Sequence, residues 1–140
     1  MDIEKLYREG DRSINTTVEY AIHLNNLGKV DEAINVLLDG VSHYTNSSLL
    51  YTILGKIYLQ EKNYDRAIVY FKKSYDLDKF NYQAVEGLVE CSNRLGLKKN
   101  KEYFEKVAEY LYPFRKKEPT RLPGTEELEE IAKEGRDLIE

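Results

Sequence analysis

One stretch constrains this chain more than any other: Ser48 to Asp78, reading SLLYTILGKIYLQEKNYDRAIVYFKKSYDLD. Large and small apolar residues hold fixed places in it, namely Tyr51, Leu54, Gly55, Tyr58, Ala67 and Phe71. The arrangement recurs upstream. Ala33 stands 34 residues before Ala67, and in that register Ala21 falls opposite Gly55, Leu24 opposite Tyr58 and Leu37 opposite Phe71. A step of 34 residues downstream sets Leu88 against Leu54 and Val89 against Gly55, while Leu95-Gly96 echoes Leu27-Gly28. A fixed period of this length marks supersecondary units that stack, because one unit cannot bury its apolar face alone. All three prolines of the 140-residue chain lie between positions 113 and 124. Helix is therefore permitted nearly everywhere before them.

Those places resemble the tetratricopeptide repeat: a large aromatic, then Leu-Gly, a second aromatic, and later A-x-x-x-F. Tyr51 stands in for the usual tryptophan, and Lys79 holds the place of the closing proline. The resemblance implies an all-α fold, a tetratricopeptide-type α-solenoid of antiparallel helix pairs. In the central unit the helices are expected at about 49–61 and 64–77, turning at Asn63, whose side chain can bond its own backbone. Gly55 and Ala67 are small so that the two helix backbones approach closely, and Leu54, Tyr58 and Phe71 fill the space around that contact.

The units then run 14–47, 48–81 and 82–112. Ser13 is placed to cap the first helix, with helices expected at about 14–27 and 31–43, and Gly40 occupies a place where the family usually has alanine. The third unit departs most: Lys101 and Glu105 stand where alanine and phenylalanine belong, with Phe104 and Val107 nearby. Its second helix is expected to be rotated or shifted by about one residue.

Outside the repeats, residues 1–13 carry Ile3, Leu6 and Tyr7 at helical spacing before Gly10, a short helix that lids the first unit. Residues 113–124 form a proline-rich connector. Residues 125–140 read as a C-terminal capping helix, with Thr125 at its start and an apolar stripe from Leu128 to Ile139. Arrays of this kind need a terminal helix with a polar outer face. Residues 126–140 hold seven acids against two bases, and residues 98–121 hold eight bases against four acids. This favours the helix folding back onto Phe104, Val107 and Leu111. The terminal helices also offer a route to a homo-oligomer.

Chemistry is sparse. His23 and His43 have no cysteine or acid at metal-ligand spacing. Cys91 is a single thiol in mid-helix, expected to be buried and inert, and it fits a reducing, cytoplasmic home. No phosphate-binding glycine motif occurs, and Arg115-Lys116-Lys117 reads as a solvated connector. The net charge of −4 gives no pull toward nucleic acid or anionic lipid. The opening Met-Asp-Ile-Glu-Lys lacks a secretory layout, and no apolar run reaches the roughly 18 residues of a membrane span. An enzyme, a cofactor and a metal are all unexpected.

What remains is the concave face that stacked repeats create. The resemblance assigns it to the first helix of each unit: Asn15, Val18, Ile22, Asn25 and Asn26, then Leu49, Thr52, Lys56, Leu59 and Gln60, then Gln83, Glu86, Glu90, Asn93 and Arg94. Amides there can bond an extended peptide's backbone, and the apolar members can bury its side chains. One subtype of the family grips an acidic C-terminus with cations and asparagines. Those places hold Val18, Ile22, Ile53, Gln83 and Gly87 here, so that clamp is expected to be absent. The resulting expectation is a non-catalytic adaptor or scaffold for a peptide or partner protein. The alternatives are a small chaperone for secreted proteins and a regulatory subunit of an enzyme.

Overall fold

The computed structural model describes residues 2–114, which form seven α-helices and no strand. α1 spans Ile3–Arg8, α2 Ile14–Asn26, α3 Val30–His43, α4 Ser48–Gln60, α5 Tyr64–Leu77, α6 Tyr82–Leu95 and α7 Lys98–Leu111, followed by a 3-10 turn at Tyr112–Phe114. The connector beyond Phe114 and the expected C-terminal helix lie outside the described residues, as does any contact they make with α7.

α2 to α7 pair as three hairpins. Ser13, expected as a cap, and Asn63, expected at the turn, both cap helices, and Ser47 and Asn81 do the same: each accepts the backbone N–H of the third residue on, at 3.1–3.3 Å. Each such cap satisfies a helix-end donor that would otherwise lack a partner. The turns within the hairpins share one backbone geometry at the 34-residue period. Gly28, Lys62 and Gly96 all take left-handed φ values, of 79°, 60° and 71°. The N–H of the residue after each left-handed one then returns to a carbonyl five residues back, in Lys29→Leu24, Asn63→Tyr58 and Leu97→Ser92, at 2.9 Å each. Lysine holds the middle turn at a steric cost that the two glycines avoid.

The core runs continuously through the hairpins, from Ala21, Leu24, Ala33 and Leu37 through Leu50, Leu54, Ala67 and Phe71 to Leu88, Phe104 and Val107. Phe71 is its keystone. A Cβ built on Gly55 would lie 2.8 Å from the Phe71 ring, and one on Gly87 would lie 2.5 Å from it. The ring is thus clasped between α4 and α6, and both helices give up side chains to hold it. The closeness of Gly55 was legible from the hairpin pattern. Gly87, singled out only as a clamp position, turns out to carry the contact between units.

The third hairpin departs as its sequence foretells. Its turn keeps the 34-residue backbone offset, yet the buried face of α7 is Asn100, Tyr103, Phe104, Val107 and Leu111. Lys101 and Glu105 stay out of the core. Charged side chains resist burial, so α7 turns by about one residue to bring its aromatics inward. Val89, opposite Gly55 in the alignment of units, is only half-buried.

α1 lies against α2 at the N-terminal end of the array. Tyr7 packs on Tyr20 with ring centroids 4.6 Å apart. The Arg12 guanidinium covers Tyr7 at 3.6 Å and also donates to the Tyr7 carbonyl, and Tyr44 Oη donates to the Arg12 carbonyl at 2.8 Å. The lid is thereby tied to α3 as well as to α2.

Candidate peptide-binding groove

The curvature of the array follows from which helices touch. α2 meets α4, and α4 meets α6, whereas no comparable contact joins α3 to α5 or α5 to α7. The row α2, α4, α6 is the more tightly spaced, so the array bends toward it and that row lines the concave side. Two side-chain bridges cross the row. Asn25 and Gln60 exchange reciprocal amide hydrogen bonds of 3.0 and 3.1 Å between α2 and α4. Lys56 Nζ donates to Gln83 Oε1 at 2.6 Å between α4 and α6.

The residues proposed from sequence fall into three groups. Ile22 and Leu49 are large apolar side chains left 41% and 45% exposed, with Val18 and Leu59 half-buried beside them. Asn15, Asn26, Gln83, Glu86 and Asn93 are exposed, and Glu90 accepts a 2.9 Å hydrogen bond from Arg94 Nε. The Arg94 guanidinium also reaches over the Tyr64 ring at 5.9 Å.

Thr52 corrects the sequence assignment. It is 1% exposed and cannot touch a ligand. Its hydroxyl donates to the Ser48 carbonyl at 2.9 Å and lies 2.6 Å from Ser74 Oγ. Asn81 Nδ2 reaches Ser48 Oγ, Thr52 Oγ1 and Ser74 Oγ within 3.1 Å. This knot of three hydroxyls and one amide joins α4, α5 and the start of α6. Buried hydroxyls require partners, and here they are drawn from α4, α5 and the N-cap of α6, so no stretch of sequence read alone reveals it. Ser74, standing where the family places alanine, was the one visible sign.

Among the described residues no cluster of His, Cys, Asp or Glu is arranged to hold a metal. Cys91 is fully buried on α6, and burial pushes its thiol up to about 12, far from a reactive thiolate. Asp76, on α5, is opposed by its own burial but held below the usual carboxylate range by hydrogen bonds from Lys72 and Lys79.

Comparison with known proteins agrees with this geometry. The sequence model of the tetratricopeptide repeat matches residues 49–81, the second hairpin. The second hairpin is a tetratricopeptide repeat, and the fold of the array is of that type. Among solved structures, this tetratricopeptide array resembles the first tetratricopeptide domain of Spaghetti (RPAP3), solved bound to the HSP90 peptide SRMEEVD. The TM-score is 0.62 at 21% identity, over 84% of this chain and 91% of that one. No curated protein matches the sequence. No helix of the described residues is long and apolar enough to cross a membrane.

Proposed function

We propose that this tetratricopeptide array is a non-catalytic adaptor or scaffold that binds an extended segment of a partner protein along α2, α4 and α6. The supporting observation is the uncovered apolar row of Ile22 and Leu49, flanked by Val18, Ile53 and Leu59 and fringed by Asn15, Asn26 and Asn93. Large apolar side chains left open beside amides suit a peptide whose side chains are buried while its backbone is hydrogen-bonded. The thiol of Cys91 suits a reducing compartment, and the cytoplasm is the natural setting.

The Spaghetti domain holds an HSP90 peptide ending in two glutamates, a valine and an aspartate. The groove here does not suit such a ligand. Of the five places where a carboxylate clamp needs polar or cationic groups, Val18 and Ile53 are half-buried, Ile22 is apolar and Gly87 is packed under Phe71. The fifth, Gln83, already accepts the Lys56 ammonium.

The test is a pull-down from native lysate with the full chain, run beside the double variant Ile22→Glu, Leu49→Glu. Proteins retained by the first and lost with the second identify the groove's partners. An identical catch from both, with the variant still folded, would remove the groove from the reading.

A further inference from the structure

We propose that the groove reads two side chains of the bound segment at equivalent places in successive units: an aliphatic one between α2 and α4, and an asparagine or glutamine between α4 and α6. The proposal deepens the groove reading above and rests on it. It starts from the repeat period. Lys56 stands 34 residues after Ile22, and Gln83 stands 34 residues after Leu49. The hairpin turns keep that period in the backbone. The two pairs therefore occupy the same place on neighbouring seams of the groove, where α2 meets α4 and where α4 meets α6. Their chemistry is opposite. Ile22 and Leu49 are large, apolar and uncovered. Lys56 and Gln83 are exposed as well, and Lys56 Nζ donates to Gln83 Oε1 at 2.6 Å.

The Lys56–Gln83 bridge leaves hydrogen-bonding capacity at its seat. It uses one of the Nζ hydrogens and one lone pair of Gln83 Oε1, and none of the Gln83 Nε2 hydrogens. A side-chain amide can accept from these donors and donate to the remaining lone pair at once. Asn25 and Gln60 already meet in this reciprocal way on the neighbouring seam, at 3.0 and 3.1 Å. A carboxylate can only accept, and Glu86 stands on the same face of α6 one turn beyond Gln83, which disfavours a second negative charge. An aliphatic side chain there would strip water from the donors and leave them unpaired. The first seat discriminates the other way, because an amide against Ile22 and Leu49 loses its water and gains no partner. Neighbouring helices pack about 8–10 Å apart, and an extended chain advances about 3.3 Å per residue. The two side chains are therefore about three residues apart in the segment, and their order fixes its direction.

The experiment selects peptides from a phage-displayed random library on the full chain, with the Ile22→Glu, Leu49→Glu double variant as control. The wild type is expected to enrich peptides with an aliphatic residue and, about three positions away in a constant order, an asparagine or glutamine. A fluorescein-labelled copy of the enriched peptide should lose about tenfold in affinity when that amide residue becomes leucine. The double variant Lys56→Ile, Gln83→Leu gives the second seat the residues of the first and should reverse this preference. Gln83→Ala, a milder change at an exposed position, should abolish the preference while still binding the peptide; thermal melts check that each variant is folded. Enriched peptides without an amide at a constant spacing, or a preference that survives in both second-seat variants, would overturn the two-seat reading while leaving the groove standing. Failure of any peptide to be enriched over the glutamate double variant would instead remove the groove itself, and the two seats with it.

Discussion

Replacing Gly87 with alanine should destabilise the array although alanine is the better helix former. A Cβ at this position would lie 2.5 Å from Cε1, Cε2 and Cζ of Phe71. Carbon atoms pack comfortably at about 3.5–4.0 Å, so the ring must retreat by about 1 Å. It has nowhere to go: Phe71 is 1% exposed, and Gly55 already presses on its other side. Overpacking of this kind costs about 1–3 kcal/mol, and more when the backbone must shift. The gain in helix propensity returns about 1 kcal/mol. The overlap is deep and the ring immobile, so the balance should be a net loss of about 1–2 kcal/mol, read by thermal melt and urea unfolding. The cause is isolated by a double-mutant cycle with Phe71→Leu. Once the ring is shortened, the added methyl should cost less, with a coupling of about 0.5–3 kcal/mol. A Gly87→Ala chain as stable as wild type, or an equal cost in both backgrounds, would refute the clasp between the second and third hairpins.

Three further outcomes follow from the same structure. Lys62→Gly should raise stability by about 1 kcal/mol, because Lys62 holds a left-handed φ of 60° where the equivalent turns use glycine; an unchanged or lowered urea midpoint would contradict this. The peptide SRMEEVD should give no saturable fluorescence anisotropy change, and saturable binding abolished by Lys56→Ala would show that the groove accepts acidic termini after all. Cys91 should resist thiol reagents in the native chain. Burial raises its pKa from 9.0 to about 12, so the folded state holds the proton more tightly than the unfolded one. Its contribution to stability is therefore intact below pH 9 and is lost as pH rises toward 12. Rapid labelling at neutral pH without unfolding would contradict the buried placement.

The sequence carried the helical framework well, and for physical reasons. α5 runs from Tyr64 to Leu77 as the pattern of Ala67 and Phe71 requires, and Asn63 caps it. The rotation of α7 was legible too, since Lys101 and Glu105 cannot enter a core. Contacts between units were hidden. Gly87 meets Phe71 of the preceding hairpin, and Thr52 is buried by Ser74 and Asn81, from elements that come together only when the array stacks. The groove positions were placed by analogy of register. That register carried Thr52 into the list although its hydroxyl serves the hairpin, and it gave no hint that Asn25 pairs with Gln60 or Lys56 with Gln83.

The most direct test is to map where a bound peptide touches the array. Isotope-labelled full chain would be titrated with a library-selected peptide, and its amide shifts followed by NMR. Binding along the concave row predicts the largest shifts on α2, α4 and α6, around Ile22, Leu49, Leu59 and Gln83. Shifts concentrated instead on the second helices, around the exposed Leu38, Val69 and Leu77, would contradict the account.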